Sequence, residues 1–329
     1  GIDRPAAVQG TSLRPALEGQ RQELLAFSET WYPRFHYGWS ELQAVRDGAF
    51  KFILAPRREL YDITKDPGET TNLAATDAGR ADRMERALRA LVAQTTRAEA
   101  TKGPQAIDAA AEQRLRALGY VGSTSARHLE DRPRRDPKDT IALYNLLLQA
   151  GEDSEAGRYD AAVAKVQRAL AVDAEMLEGY TRLGNVYGKA GRHADAIAAY
   201  RKALALDPEH LMSTYNLALA YRSAGKIDEA IVGFERSLQL HPRSGRAHFQ
   251  IGDIYMQQGQ PAKALEVLTK GLALEVDRPP FLVKLGEAYL ELKRLDEAEK
   301  VLKEAVSLRV DVPRGQYNLA LVAEQRGNA

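Results

Sequence analysis

Six histidines and no cysteine bound the chemistry open to this 329-residue chain. Without thiols there is no disulfide, no thiolate metal site and no sulfur nucleophile, whatever the compartment. The histidines are His36, His128, His193, His210, His241 and His248, and no pair keeps the His-Glu-x-x-His spacing that turns two imidazoles toward one metal. His193, His210 and His241 fall at turns, where exposed polar residues are expected. His36 sits among Trp31, Tyr32, Phe35, Tyr37 and Trp39 and is the one histidine placed to border a substrate cleft. Its plainer reading is an imidazole hydrogen-bonded inside an aromatic core. Arg57 and Arg58 could meet an anionic substrate, but beside Pro56 at a strand entry they read as solvated protection of a sheet edge. No Ser-His-Asp order, phosphate loop or zinc-ligand cluster is legible. The sequence thus offers no catalytic and no metal-ligating residue.

Charge excludes a second class. The net charge of +1 is far from the clustered basic excess that phosphate binding needs, so no nucleic-acid partner is expected. The run Arg132-Pro133-Arg134-Arg135-Asp136-Pro137 is basic, but acids interleave it and it reads as part of a solvated linker over 121–140. No apolar run reaches the length of a membrane span, and the start carries no secretory leader pattern.

What positions the remaining polar residues is a strict period. Alanine recurs every 34 residues at Ala162, Ala196, Ala230, Ala264 and Ala298. Twelve residues before each stands a small residue: Ala150, Gly184, Ala218, Gly252 and Gly286. Tyr187, Tyr221, Tyr255 and Tyr289 keep the step, as do Gly157, Gly191, Gly225, Gly259 and Gly327, with Lys293 the exception in that column. This period, with Leu183-Gly184, Tyr187, Ala196, Tyr200, Ala203 and Pro208 in one unit, resembles the tetratricopeptide repeat, a pair of antiparallel helices. Five full units span 143–312 and a partial sixth spans 313–329, making 141–329 an all-α superhelical solenoid. Small residues at unit positions 8, 20 and 27 let two helices approach closely, and the glycine at position 15 ends the first of them.

The first 120 residues do not share the period. Leu42 to Arg46 and Ala49 to Leu54 flank Asp47-Gly48 as a hairpin, and Glu59 to Ile63 reads as a third strand. Asp77 looks like the cap of a helix that sets Met84, Leu88, Leu91 and Val92 on one stripe, and Ala106 to Leu118 as a second helical piece. The fold class expected is therefore α+β, a small antiparallel sheet plus helices, followed by the helical array.

The order of motifs in this first part resembles the C-terminal subdomain of type I sulfatases, in the alkaline phosphatase superfamily. The residues that carry it are Gly10-Thr11-Ser12-Leu13, Arg46-Asp47-Gly48-Ala49-Phe50-Lys51-Phe52-Ile53, Glu59-Leu60-Tyr61-Asp62, Asp66-Pro67-Gly68-Glu69, Asn72-Leu73-Ala74 and Leu115 to Val121. The resemblance implies that calcium and a formylglycine belong to a catalytic part not present in these residues, in a parent that is exported or periplasmic. The chain opens on Gly1 and stops at Ala329 past a first helix, so it reads as a piece of a longer hydrolase, noncatalytic by itself, with no cofactor of its own.

The repeat resemblance also implies where a partner would sit. Its concave surface is lined by first-helix positions 2, 5, 6, 9, 12 and 13, which here include Arg182, Asn185, Tyr215, Asn216, Arg222, Arg246, Phe249, Gln250, Asp253, Lys284, Glu287, Tyr317 and Asn318. Asn216, Gln250 and Asn318 share position 6, and amides that donate and accept together can grip an extended peptide backbone. Asn185, Asn216 and Arg246 also match three of five positions of the family's carboxylate clamp, with Thr181 and Gln250 replacing two of its cations. The expected function is protein–protein interaction by a docking arm; the alternative is a sulfuric or phosphoric ester hydrolase with the repeats as accessory. Incubation of this chain with calcium and a chromogenic aryl sulfate or phosphate is expected to release no phenol. Turnover above the blank would place an active centre inside these residues.

Overall fold

The computed structural model describes residues 25–30, 39–100, 135–274, 278–308 and 312–327. His36, the Gly10 to Leu13 motif, the helix read at Ala106 to Leu118 and the Leu115 to Val121 motif lie outside the described residues. Two compact units divide the chain, Gly1–Asp108 with Arg132–Thr140, and Ala109–Asp131 with Ile141–Ala329.

The first unit is a four-stranded antiparallel sheet in the order β1 (Leu25–Thr30), β2 (Leu42–Asp47), β3 (Phe50–Leu54), β4 (Glu59–Asp62). Helix α1 (Ala78–Ala100) covers one face. Phe50, Phe52 and Leu54 alternate toward it, as a half-buried strand requires, and meet Leu60, Val45, Met84 and Leu88 with Leu91 and Val92 at the margin. The hairpin turn is Gly48-Ala49, one residue later than the sequence suggests, because Asp47 pairs with Phe50. Gly48 takes φ +56, so the positive dihedral falls on the residue that tolerates it. Strand β1 is an addition: with a mostly exposed LAFSET segment it lacks the alternation that marks a strand, and only Phe27 reaches the core.

Short polar clips hold the loops. Asp77 caps α1, its Oδ1 accepting from the Arg80 N–H at 3.1 Å. Asn72 accepts from the Leu60 and Ala74 N–H groups and donates to the Arg58 carbonyl, which locks the loop after β4 to that strand. Asp66 accepts from the N–H groups of Thr70 and Thr71 at 2.8 Å, closing the Pro67-Gly68 turn.

Helix α2 (Pro137–Glu155) begins inside the stretch read as linker, six residues ahead of the unit expected at Leu143. Buried Asp136 caps it by accepting from Lys138 N–H at 3.0 Å, and Pro137 takes the first helical position, where no N–H is needed. Asp-Pro in a charged run reads as linker punctuation and as a helix start alike; here the second sense applies.

From Leu177 the helices follow the period, except that the second helix of the fourth unit ends two residues early at Leu272. First helices are α4 (Leu177–Lys189), α6 (Leu211–Ser223), α8 (Gly245–Gln257), α10 (Pro279–Glu291) and α12 (Pro313–Gln325). Second helices are α3 (Tyr159–Val172), which meets α2 through the Lys165–Asp153 ion pair, then α5 (His193–Leu206), α7 (Ile227–Leu240), α9 (Pro261–Leu272) and α11 (Leu295–Leu308). From α3 on, each helix packs on the next, and first helices also touch first helices, α4 on α6, α8 on α10 and α10 on α12. The position-20 alanines are fully buried. A Cβ built on Gly184, Gly252 or Gly286 at position 8 would lie 2.5 Å from Tyr200, Leu268 or Leu302, closer than atoms can pack. Position 15 is left-handed throughout, φ +67 to +76 at its glycines and +60 at Lys293.

Two substitutions test these constraints. Gly184→Val should lower the thermal midpoint by forcing Tyr200 aside, an overpacking cost of about 1–3 kcal/mol. Lys293→Gly should raise it, removing about 1–2 kcal/mol of left-handed strain less the freedom glycine gains when unfolded. Circular dichroism melts of both read the result, and a neutral Gly184→Val would show that the helices of that unit are not held at contact.

Candidate functional site

The first-helix face owes its geometry to the period. Position 9 of one unit and position 6 of the next are 31 residues apart and meet: Asn185 with Asn216, Asp253 with Lys284, Glu287 with Asn318. Each meeting is a hydrogen bond or ion pair, so the face is a chain of contacts between units rather than a set of independent side chains.

At the α4–α6 end, Asn185 Oδ1 accepts from the Tyr200 hydroxyl at 2.6 Å and from Asn216 Nδ2 at 3.0 Å. Burial pushes the Tyr200 phenol well above its ordinary pKa, so it remains a donor. The Asn185 amide N–H groups are left without a recorded partner among the described residues. Arg182 pairs with Glu178 at 3.0 Å, one turn back on α4. Arg182, Asn185, Tyr200 and Asn216, with Lys189 and His193, line a cavity of about 390 Å³.

At the α8–α12 end the polar groups are consumed. Arg222 donates to Gln250 and to Asp253. Asp253 also accepts from Lys284 at 2.7 Å, and Lys284 reaches Glu287 at 3.0 Å. Glu287 takes Arg314 and, at 3.4 Å, Asn318. Burial pushes the Asp253 carboxyl up, but hydrogen bonds and charge from Lys284 and Arg222 outweigh it, and the pKa lies below the ordinary aspartate value.

The sequence-derived residues therefore divide. Asn216, Gln250 and Asn318 do not form an open row of amides: Asn216 donates to Asn185, Gln250 accepts from Arg222, and Asn318 is buried. Tyr215 packs edge-on against Phe234 at 5.4 Å and Phe249 against Phe281 at 5.1 Å, whereas Tyr317 is 64 % exposed. Arg246 is exposed with no recorded partner among the described residues. Thr181, at a clamp position, is buried and bonded to Ser213 at 2.9 Å. His210 is not a free turn residue: its Nδ1 accepts from the Ser213 N–H and caps α6, and burial holds its pKa below the usual histidine value. His193, also read as an exposed turn residue, is half-buried against the cavity, a placement visible only once the unit columns are compared. Arg57 and Arg58 are ion-paired, to Asp139 and to Asp82 with Glu85. Among the described residues no group of ligands could hold a metal, and no helix is long and apolar enough to cross a membrane.

Two family profiles described as tetratricopeptide repeat match this chain, one at residues 147–210 and 181–244, the other at 221–280 and 255–323. The Δ4,5-hexuronate-2-O-sulfatase of Bacteroides thetaiotaomicron is 38 % identical over 80 residues, 22 % of this chain and 16 % of that protein. The chain thus spans about a sixth of the curated relative's length. Among solved structures, the Pseudomonas aeruginosa pilF protein matches 57 % of this chain and 86 % of its own at 19 % identity and TM-score 0.51, a likeness of fold. TTC0263, a tetratricopeptide protein of Thermus thermophilus, is 28 % identical over 55 % of this chain and 98 % of its own, TM-score 0.42.

The Asp253 network carries a pH signature. A carboxyl with a depressed folded pKa lends stability above its unfolded value, near 3.8, and loses it as pH falls through the folded value. Asp253→Asn should therefore melt below the parent at neutral pH, by about 1–3 kcal/mol for the stranded cations, with the gap closing under acid. A constant gap from neutral pH to pH 2 would show that the ion pairs contribute nothing.

Proposed function

The chain belongs to the tetratricopeptide repeat family, and from that premise we propose that its first-helix face binds an extended segment of a partner protein. The observation that carries the reading is the Asn185–Asn216 pair beside an open cavity. Asn185 keeps both amide donors, and Asn216 keeps its carbonyl, so together they can accept and donate to one peptide unit whatever its side chain. Arg246 at position 2 and Tyr317 at position 5, both exposed on first helices of later units, supply room for side-chain contact. The binding energy is concentrated at the α4–α6 end, because the amides toward α12 are already bonded to charged neighbours, Gln250 to Arg222 and Asn318 to Glu287.

A displayed library of random linear peptides, panned on this chain, is expected to yield binders that Asn185→Ala with Asn216→Ala weakens by about tenfold or more, the loss of one to two hydrogen bonds to a desolvated backbone. Binders that ignore the double substitution would move the site elsewhere on the repeats.

A second reading rests on a separate observation. The sheet-and-helix unit carries the motifs that resemble the end of a sulfatase, and the identity to the hexuronate sulfatase supports it. We infer that this unit is the C-terminal subdomain of a sulfatase-type ester hydrolase, and that the repeats are its docking arm. The whole protein would hydrolyse sulfate esters of acidic sugars. Assay of the full-length gene product on sulfated uronate oligosaccharides tests it; absence of desulfation in a protein that folds and carries formylglycine would reject it.

A further inference from the structure

The residue that precedes each first helix falls at unit position 34, where the column reads Met176, His210, Ser244, Arg278 and Val312. Among the described residues only α6 and α8 have a side-chain cap at that position. Ser244 is an ordinary cap, its hydroxyl accepting from the Ala247 N–H at 3.3 Å. His210 fills the same role with a group that titrates. Its Nδ1 accepts from the Ser213 N–H at 3.3 Å and lies 2.8 Å from the Ser213 hydroxyl. That hydroxyl is 2.9 Å from Thr181 Oγ1 on α4, and both residues are buried. One imidazole therefore holds the first turn of α6 and, through Ser213, a contact between the second and third units.

A ring nitrogen that accepts from an N–H carries no proton, so this cap exists only while His210 is neutral. The Ser213 hydroxyl can turn its proton away and accept instead, but the backbone N–H cannot. A ring charged at Nδ1 would face that donor at the end of a helix where positive charge is disfavoured. The charged groups facing the ring are Glu178 on α4 and Asp207 in the turn after α5. Glu178 is held by Arg182 at 3.0 Å. Asp207 is 2 % exposed; its Oδ1 accepts from the Glu209 N–H at 3.1 Å, and its buried Oδ2 has no partner among the described residues. Buried polar atoms are normally paired, so this oxygen, three residues from the histidine, is an acceptor in reserve.

We propose that His210 is a proton-operated latch between the second and third units. Neutral, it caps α6 and keeps Ser213 against Thr181. Protonated, it leaves the cap for Asp207 Oδ2, and the first turn of α6 opens at its joint with α4. Burial outweighs the two acids and sets the folded pKa of His210 below the ordinary histidine value. The latch thus lends stability above the unfolded value, near 6.5, and gives it up as pH falls from there toward the folded one. It operates whether or not the first-helix face holds a peptide.

NMR of the full chain between pH 7.5 and 5 tests the latch, reading the His210 ring and the exchange protection of the Ser213 amide and its first-turn neighbours. As His210 titrates, with a midpoint below that of an ordinary histidine, protection there should fall about fivefold or more, the loss of one helix cap. The Ser244-capped turn of α8 should keep its protection. His210→Ser, which supplies the residue that caps one unit later, should stay folded with the α6 turn protected at both ends of the range. Asp207→Asn, which keeps an oxygen for Glu209 but removes the charge, should move the His210 midpoint to lower pH. Protection that falls equally in the parent and in His210→Ser, or in neither, overturns the latch. So does a His210 midpoint that Asp207→Asn leaves in place.

Discussion

The array depends on one steric condition, that the two helices of a unit touch at position 8. Where that residue is glycine, the opposing ring or isobutyl group of Tyr200, Leu268 or Leu302 occupies the space a Cβ would need. The condition is kept even where residues change. In the third unit position 8 is Ala218, and the residue facing it is Gly233, whose own Cβ would lie 2.8 Å from that of Ala218. Between the fourth and fifth units the same exchange occurs: Phe281 stands in a column of mostly small residues, and Gly271 in the preceding helix supplies the room, since a Cβ there would be 2.5 Å from its ring. Volume is conserved across each contact although neither partner is, as dense interiors require.

Because the units close in the same way, residues 31 apart meet on the first-helix face at Asn185–Asn216, Asp253–Lys284 and Glu287–Asn318, and the chemistry there is set by which residues fill two columns. Amides in both give Asn185–Asn216, with groups to spare. Opposite charges give Asp253–Lys284–Glu287, which stiffens the array and leaves less for a ligand. One backbone plan therefore yields a polar spine at one end and an open pocket at the other. The sheet unit is organised differently, by a single apolar face and by side chains such as Asn72 and Asp66 that tie its loops.

The period made the alternation of first and second helices readable from Leu177 onward, since Ala, Gly and Tyr columns report packing directly. Strand β1 was not legible, because only Phe27 of its six residues turns inward and pairing with β2 decides its conformation. The start of α2 was hidden for another reason: Asp136-Pro137 has the composition of a linker and the geometry of a cap. Position along the repeat located residues on the first helices but not how their side chains pair. That Asn318 is buried on Glu287 while Asn185 keeps free donors depends on neighbours one unit away, which a column of amides does not reveal.

The most direct test of where a partner docks is photo-crosslinking of a library-selected peptide to the chain carrying a benzophenone amino acid at one of two places. Leu219 lines the α4–α6 cavity, and Val232 is 65 % exposed on second helix α7. A bound segment on the first-helix face predicts an adduct from position 219 and none from position 232. An adduct from position 232 alone would put the partner on the second helices and contradict the assignment of the face.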